Sequence, residues 1–102
     1  MVFLDIVKYL TEEFHSNVEV KDKDGTTSLQ FASFIGHLDI IKHLVEEFHC
    51  NVEAKNKIGS TSLHYASIGG HLDIVKYFVK ECDCNVETKD GFGRTPLHLA
   101  YF

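Results

Sequence analysis

Several features of catalytic and nucleic-acid-binding proteins are scarce in this sequence. It contains no Gly-rich phosphate loop, nucleophile elbow or paired-carboxylate motif, and its glycines fall where turns are required. Ten Lys and Arg stand against fifteen Asp and Glu, with no basic run. This balance argues against nucleic acid or an anionic membrane as the main partner. We therefore expect neither enzyme activity nor nucleic-acid binding.

Cysteine and long apolar runs are also sparse. Three cysteines are an odd number without framework spacing, whereas small secreted scaffolds carry even, dense sets. Asp5 and Lys8 interrupt the apolar N-terminal stretch, so it resembles neither a signal peptide nor a membrane span of about 20 apolar residues. These absences predict an intracellular, cytoplasmic protein that makes no membrane contact.

The dominant feature that is present is an internal repeat of 34 residues. The segment LDIVKYL at Leu4 returns as LDIIKHL at Leu38 and as LDIVKYF at Leu72. Two further sets of markers keep the same interval: Asn17, Asn51 and Asn85, and Gly25, Gly59 and Gly93. Because independent markers share one spacing, the chain is predicted to be an array of repeated units.

Each unit has the pattern of a helical hairpin followed by an extended segment with a turn. Ser28 to Ile35 predicts a short helix, capped by the Thr27 hydroxyl and ended at Gly36. From Leu38 the apolar residues recur at steps of three and four, which is typical of a buried helical face. They are Leu38, Ile41, Leu44, Val45 and Phe48. Such a hairpin cannot bury its apolar face alone, so neighbouring units must stack to form the core.

The segment from Gly93 to Ala100, GRTPLHLA, resembles the ankyrin signature, whose core is T-P-L-H-x-A. Weaker copies begin at Gly25 and Gly59, and the resemblance covers essentially the whole chain. It implies an all-α solenoid of stacked helix-turn-helix units with projecting β-turn loops. It also implies that His64 and His98 hold adjacent turns together by hydrogen bonds to backbone groups, with Thr61 and Thr95 as local partners.

The repeat departs from the ankyrin pattern at several positions. Ser28 and Ser62 stand where the family favours Pro. Gln30 replaces the signature His, which leaves open whether a side-chain link to Thr27 forms there. The unit is one residue longer than the usual period of about 33 and lacks the Gly that commonly ends the second helix. We expect an altered helix end with Phe48 or Cys82 turned inward.

The phase of the repeat divides the chain into four parts. Residues 24–57 and 58–91 are complete units, flanked by partial units at residues 1–23 and 92–102. The first part contributes an unpaired second helix, and the last contributes an unpaired first helix that begins at Pro96. Apolar residues at both ends are expected to be exposed: Met1, Val2, Phe3, Leu99, Tyr101 and Phe102. The prediction is either a piece of a longer array or ends that stack on other copies.

Cys82-Asp83-Cys84 together with His49 is a candidate metal site. Zinc requires four ligands at tetrahedral geometry, and this spacing is poor, so Cys82 is better explained as a small buried side chain. A Cys50–Cys84 disulfide is disfavoured because packed helices lie about 8–10 Å apart, beyond the roughly 7 Å limit for bridged Cα atoms. No cofactor or metal is predicted.

The resemblance places partner binding on the turn tips and on the concave face of the first helices. The implied tip residues are Lys23, Asp24, Thr26, Lys57, Ile58, Ser60, Gly91, Phe92 and Arg94. The implied concave residues are Phe34, Ile35, Ile68 and Gly69. These positions vary between units, and several are apolar where solvent is expected, which suits an unidentified protein partner. Two alternatives stay open: Phe34 and Ile68 pack in the core, or the array is a structural segment that self-associates through its uncapped ends.

Overall fold

The computed structural model describes residues 2–101. Each repeated hairpin consists of a first helix and a second helix, and three helices of each kind alternate along these residues, starting with a second helix. The helices are α1 (Val2–Lys8), α2 (Ser28–Ile35), α3 (Leu38–Lys42), α4 (Ser62–Ile68), α5 (Leu72–Lys76) and α6 (Pro96–Ala100). The second helices α1, α3 and α5 each continue into a π-helical turn, at Tyr9–Glu13, His43–Glu47 and Tyr77–Glu81. Over the described residues, β pairing is limited to one isolated bridge between Lys21 and Thr27. The expected all-α architecture is confirmed.

The first helices start at threonine caps, as the sequence predicts. Thr61 Oγ1 accepts from the backbone N–H of His64 at 3.4 Å, and the Thr61 N–H donates to His64 Nδ1 at 3.1 Å. Gln30 makes the same reciprocal pair with Thr27, with distances of 3.0 and 3.3 Å. The link that the sequence left open at Gln30 therefore forms, because an amide oxygen can accept this hydrogen bond in place of an imidazole nitrogen.

The second helices end in a widened turn that accounts for the long repeat. The second residue after each π-helical turn has positive φ: 55° at His15, 53° at His49 and 55° at Asp83. The following N–H donates to a carbonyl six residues back, as from Cys50 to Leu44 at 3.2 Å. In a Schellman motif, the usual helix end, the corresponding hydrogen bond joins residues that are five apart. The π-helical turn is wider and holds one residue more, which explains why the repeat is 34 residues long instead of 33.

The altered helix end agrees with the sequence prediction. His and Asp tolerate the left-handed conformation better than most residues, so Gly is dispensable at this position. Phe48 and Cys82, which precede these residues, are half-buried and pack against the core. Both are therefore turned inward as expected.

The core lies between stacked units. Helix α4 packs between α2 and α6, while α3 packs on α2 and α5 packs on α4. The side chains with the least exposure come from both helix types and from both complete units; the largest are Phe78, Leu29, Ile41, Leu44, Leu63 and Ile74. Each hairpin thus buries its apolar face against its neighbours, as the repeat requires.

The two ends of the stack differ in part from expectation. Phe3 and Tyr101 are exposed as predicted, but Leu99 is buried because it lies in α6, which packs on α4. The expectation for Leu99 is therefore wrong. Leu97 is instead the exposed leucine of this helix. Met1, Phe102 and the side chain of Val2 lie outside the described residues.

Candidate protein-binding surface

Three equivalent side chains hold the projecting turns in shape. Asp22 Oδ1 accepts from the N–H groups of Asp24 and Thr26, both at 2.9 Å. Asp90 Oδ1 accepts in the same way from Phe92 and Arg94, and Asn56 Oδ1 accepts from Ser60 at 2.9 Å. A short acceptor at the base of each turn therefore fixes the backbone of the tip.

Adjacent tips are joined by backbone hydrogen bonds. The Lys57 N–H donates to the Asp24 carbonyl at 3.0 Å, and the Gly91 N–H donates to the Ile58 carbonyl at 2.7 Å. The three tips are consequently one continuous row. Side chains carried by this row are held at fixed positions before any partner binds, which reduces the entropy lost on binding.

We expect Gly59→Ala to destabilise the protein more than Gly93→Ala does. Both glycines have positive φ, at 80° and 77°. A Cβ on Gly59 would lie 2.6 Å from the backbone nitrogen of Gly91. Apart from its two chain neighbours, none of residues 2–101 has a heavy atom within 4 Å of a Cβ on Gly93. The left-handed conformation costs either alanine about 1–2 kcal/mol, and only Gly59→Ala must also open the tip row. Chemical unfolding of the two variants measures the difference, and equal losses would contradict the rigid tip row.

Two apolar side chains project from this row. Ile58 is 47% exposed and Phe92 is 73% exposed. The Arg94 guanidinium lies 4.9 Å from the centroid of the Phe92 ring and its Nε donates to Asp90 Oδ2 at 2.8 Å. Burial alone would raise the pKa of Asp90, but hydrogen bonds from the backbone and side chain of Arg94 outweigh it and hold the pKa below its usual value. Asp90 therefore stays ionised and keeps Arg94 beside the ring.

The remaining tip residues fall into two groups. Lys23, Asp24, Lys57 and Gly91 are exposed, and Thr26 is half-buried. Ser60 is only 4% exposed, because its backbone closes the turn through hydrogen bonds with Asn56. Including Ser60 among surface residues was therefore wrong.

The concave positions of the first helices are mostly open to solvent. Phe34, Ile35 and Ile68 are all exposed, so the alternative that Phe34 and Ile68 form core is wrong. Gly69 is half-buried, and a Cβ there would lie 2.6 Å from the Phe34 carbonyl oxygen. Gly69 thus permits close approach of neighbouring units and offers no side chain to a partner.

Tyr65 connects the concave face to the tips, and the sequence analysis missed it. Its ring packs edge-on against Phe34 with centroids 6.2 Å apart. Its hydroxyl accepts from Asn56 Nδ2 at 2.6 Å, at the base of the middle tip. The equivalent residue in the preceding unit, Phe31, is exposed. Both residues occupy the x of T-P-L-H-x-A. The change from Phe31 to Tyr65 within an otherwise constant motif is the feature of the sequence that could have identified Tyr65.

Histidine side chains hold neighbouring units together. His64 Nε2 donates to the Arg94 carbonyl at 2.9 Å, while its Nδ1 accepts from Thr61. His71 Nε2 donates to the Phe34 carbonyl at 2.8 Å. A backbone carbonyl only accepts, so each Nε2 carries the proton. The bridging role that the resemblance implied for His64 is thus confirmed.

The family model described as "Ankyrin repeats (3 copies)" matches residues 3–90. The chain belongs to the ankyrin-repeat family. Ankyrin repeats are generally protein–protein interaction modules and are typically not enzymes. A comparison with curated proteins found no match. Within residues 2–101, none of the helices in this ankyrin array is long and apolar enough to cross a membrane.

The cysteines of the ankyrin array are poorly suited to nucleophilic or metal chemistry. Burial raises the pKa of the Cys50 thiol to about 11 and that of Cys84 to about 12, with nearby carboxylates adding to both shifts. Burial also raises the pKa of Cys82. These thiols stay protonated near neutral pH, whereas the thiolate is the nucleophile and metal ligand. Across residues 2–101, no three His, Cys, Asp or Glu residues converge to hold a metal ion.

Proposed function

We propose that this ankyrin array binds a protein partner through one surface formed by the tip row and the concave face. The supporting observation is that apolar side chains are exposed on a backbone that is already fixed. Ile58 and Phe92 project from hydrogen-bonded tips, and Phe34 and Ile68 line the adjoining helices. Large apolar anchors on a rigid support are the usual centre of a protein interface.

The charges around this surface indicate the chemistry of the partner. Lys23, Lys57 and Arg94 lie at the tips of a chain whose formal net charge is −5. Asp24 is also exposed there, so the surface carries both signs. The best match is a protein segment with one or two large apolar side chains flanked by acidic residues. The apolar contacts supply affinity, and the charges set orientation and association rate.

A selection experiment tests this function directly. Ligands would be selected on the 102-residue chain from a displayed library of protein segments, and their dissociation constants would be measured by biolayer interferometry. We expect the double variant Ile58→Asp, Phe92→Ala to weaken the binding of most ligands by at least about 30-fold, because it removes the two apolar anchors of the tip row. Leu97→Glu, an exposed apolar position outside this surface, is the matched control and should leave the dissociation constants unchanged.

The opposite pattern would overturn the proposal. If the selected ligands bind the tip variant as tightly as the unsubstituted chain, and Leu97→Glu abolishes binding, the functional surface lies at the end of the stack. Circular dichroism of every variant establishes that each retains its helices.

Self-association through the ends of the stack is the second candidate. It is favoured by exposed apolar side chains at both ends of the stack: Phe3 and Ile6 in α1, Leu10 in the π-helical turn that continues α1, and Leu97 in α6. Growth of mass with concentration, measured by light scattering on a sizing column, would support it. A mass that stays at that of the monomer over the whole concentration range would exclude self-association.

A further inference from the structure

The repeat provides an internal comparison for the exposed side of α1 and of the π-helical turn that continues it. Leu10 is 45% exposed, but its equivalents Leu44 and Phe78 are at most 2% exposed. Ile6 is likewise exposed, whereas its equivalents Ile40 and Ile74 are buried. Helices α3 and α5 pack on first helices of their own units, α2 and α4. Among the described residues, α1 has no first helix of its own unit, so one apolar face is uncovered.

The opposite end of the stack lacks the complementary element. Leu97 in α6 is 66% exposed, while its equivalents Leu29 and Leu63 are 1% exposed. Leu97 and Leu72 line an open, largely apolar groove of about 480 Å³ beside α4, α5 and α6. In the complete units this place is filled by a second helix. Helix α6 therefore presents a first helix whose own second helix is not among residues 2–101.

We propose that α1 of one copy packs into the groove formed by α4, α5 and α6 of another copy. Helix α6 and the second copy's α1 then form one ankyrin hairpin, equivalent to the α4–α5 hairpin. Such a contact joins different surfaces of the two copies, so it is directional and can extend from copy to copy. It rests on the second candidate function, self-association, and specifies which surfaces meet.

The hydrogen bonds between units can continue across this junction. The Asn51 N–H donates to Glu19, and the Asn85 N–H donates to Glu53, both at 3.0 Å. The next pair in this series is Asn17 of the second copy with Glu87. Glu87 also lines the groove, so its carboxylate is on the correct side.

The tip row can continue in the same register. Its two bonds join Lys57 to Asp24 and Gly91 to Ile58. The equivalent third bond would join the Lys23 N–H of the second copy to the Phe92 carbonyl. The hydrogen bond equivalent to the one from His71 to the Phe34 carbonyl would be lost. Phe3 occupies the position of His71 in the first unit, and its side chain has no donor. The junction would therefore repeat the Asn–Glu contact and the tip-row contact, and it would place the Phe3 ring where the complete units have a histidine.

Two complementary blocking variants test the pairing. Ile6→Glu places a charge on the uncovered face of α1, and Leu97→Glu places one in the groove. We expect the unsubstituted chain to grow in mass with concentration and each variant alone to remain a monomer. A 1:1 mixture should form a dimer of about twice the monomer mass, because one intact groove meets one intact α1. Ile58→Glu, at a tip, is the matched control and should still associate.

Each outcome distinguishes the inference from self-association in general. Growth of the unsubstituted chain without dimer formation in the mixture would overturn the head-to-tail contact and leave association through another surface. A monomer at every concentration would overturn both. Circular dichroism and unfolding curves identify any variant that fails to fold, and Leu72→Glu then replaces Leu97→Glu in the groove.

Discussion

Replacing Phe78 with alanine is expected to destabilise the ankyrin array by about 3–5 kcal/mol, the usual loss for a buried phenylalanine. Phe78 is fully buried in the second helix of a complete unit and is the largest of the fully buried side chains. Small domains are stable by only about 5–15 kcal/mol in total. The midpoint of guanidinium unfolding, followed by circular dichroism at low protein concentration, should therefore fall steeply.

Leu10→Ala is the matched control for this substitution. Leu10 occupies the equivalent position in the π-helical turn that continues α1, but it is 45% exposed. Its truncation should cost under about 1 kcal/mol, because little buried apolar area is lost. Equal losses for the two variants would mean that α1 is covered in solution even at low concentration.

Replacing His64 with alanine is expected to cost about 2–3 kcal/mol, the penalty for leaving buried hydrogen-bonding groups without partners. The substitution removes the acceptor for the Thr61 N–H and the donor to the Arg94 carbonyl. It thus weakens both the start of α4 and the contact between two units. The measurement is again equilibrium chemical unfolding.

His64→Gln should recover most of this loss, to within about 1 kcal/mol of the unsubstituted protein. Gln30 already performs both functions in the preceding unit. Its Oε1 accepts from Thr27, and its Nε2 donates to the carbonyl of Ser60, the equivalent of Arg94, at 3.4 Å and to that of Ala54 at 3.0 Å. If glutamine proved as damaging as alanine, the imidazole ring itself would be required for packing.

The architecture was predictable because several independent markers share one period. The spacing of Leu4, Leu38 and Leu72 identified the repeat, and Thr27 and Gly36 marked the bounds of α2 where the structure has them. The same reasoning placed Phe48 and Cys82 inward. These features depend on local chemistry, on caps and on apolar periodicity, which a sequence displays directly.

Other features depend on packing and could not be derived from one unit. The extra residue of each repeat is absorbed by a π-helical turn, and no motif in the sequence distinguishes such a turn from an irregular loop. The different exposures of Leu97 and Leu99 are decided by which side of α6 faces α4. Serine is typical of exposed turns, but Ser60 is buried by the geometry of the tip.

The candidate surface was predictable only in outline. Variation between units pointed to Ile58 and Phe92, and the structure adds that their backbones are joined in one row. It also adds Tyr65, which links Phe34 to the base of a tip through its ring and its hydroxyl. The identity of the partner is determined by its own complementary surface, which this sequence does not encode.

NMR titration shows residue by residue whether the partner binds at the tip row and the concave face. A library-selected ligand would be added to the ¹⁵N-labelled chain, and amide shift changes would be mapped by residue. We expect the largest changes at Lys57, Ile58, Phe92 and Arg94 and around Phe34 and Ile68. Changes confined to α1, or to the groove beside Leu72 and Leu97, would contradict binding at the tip row and the concave face.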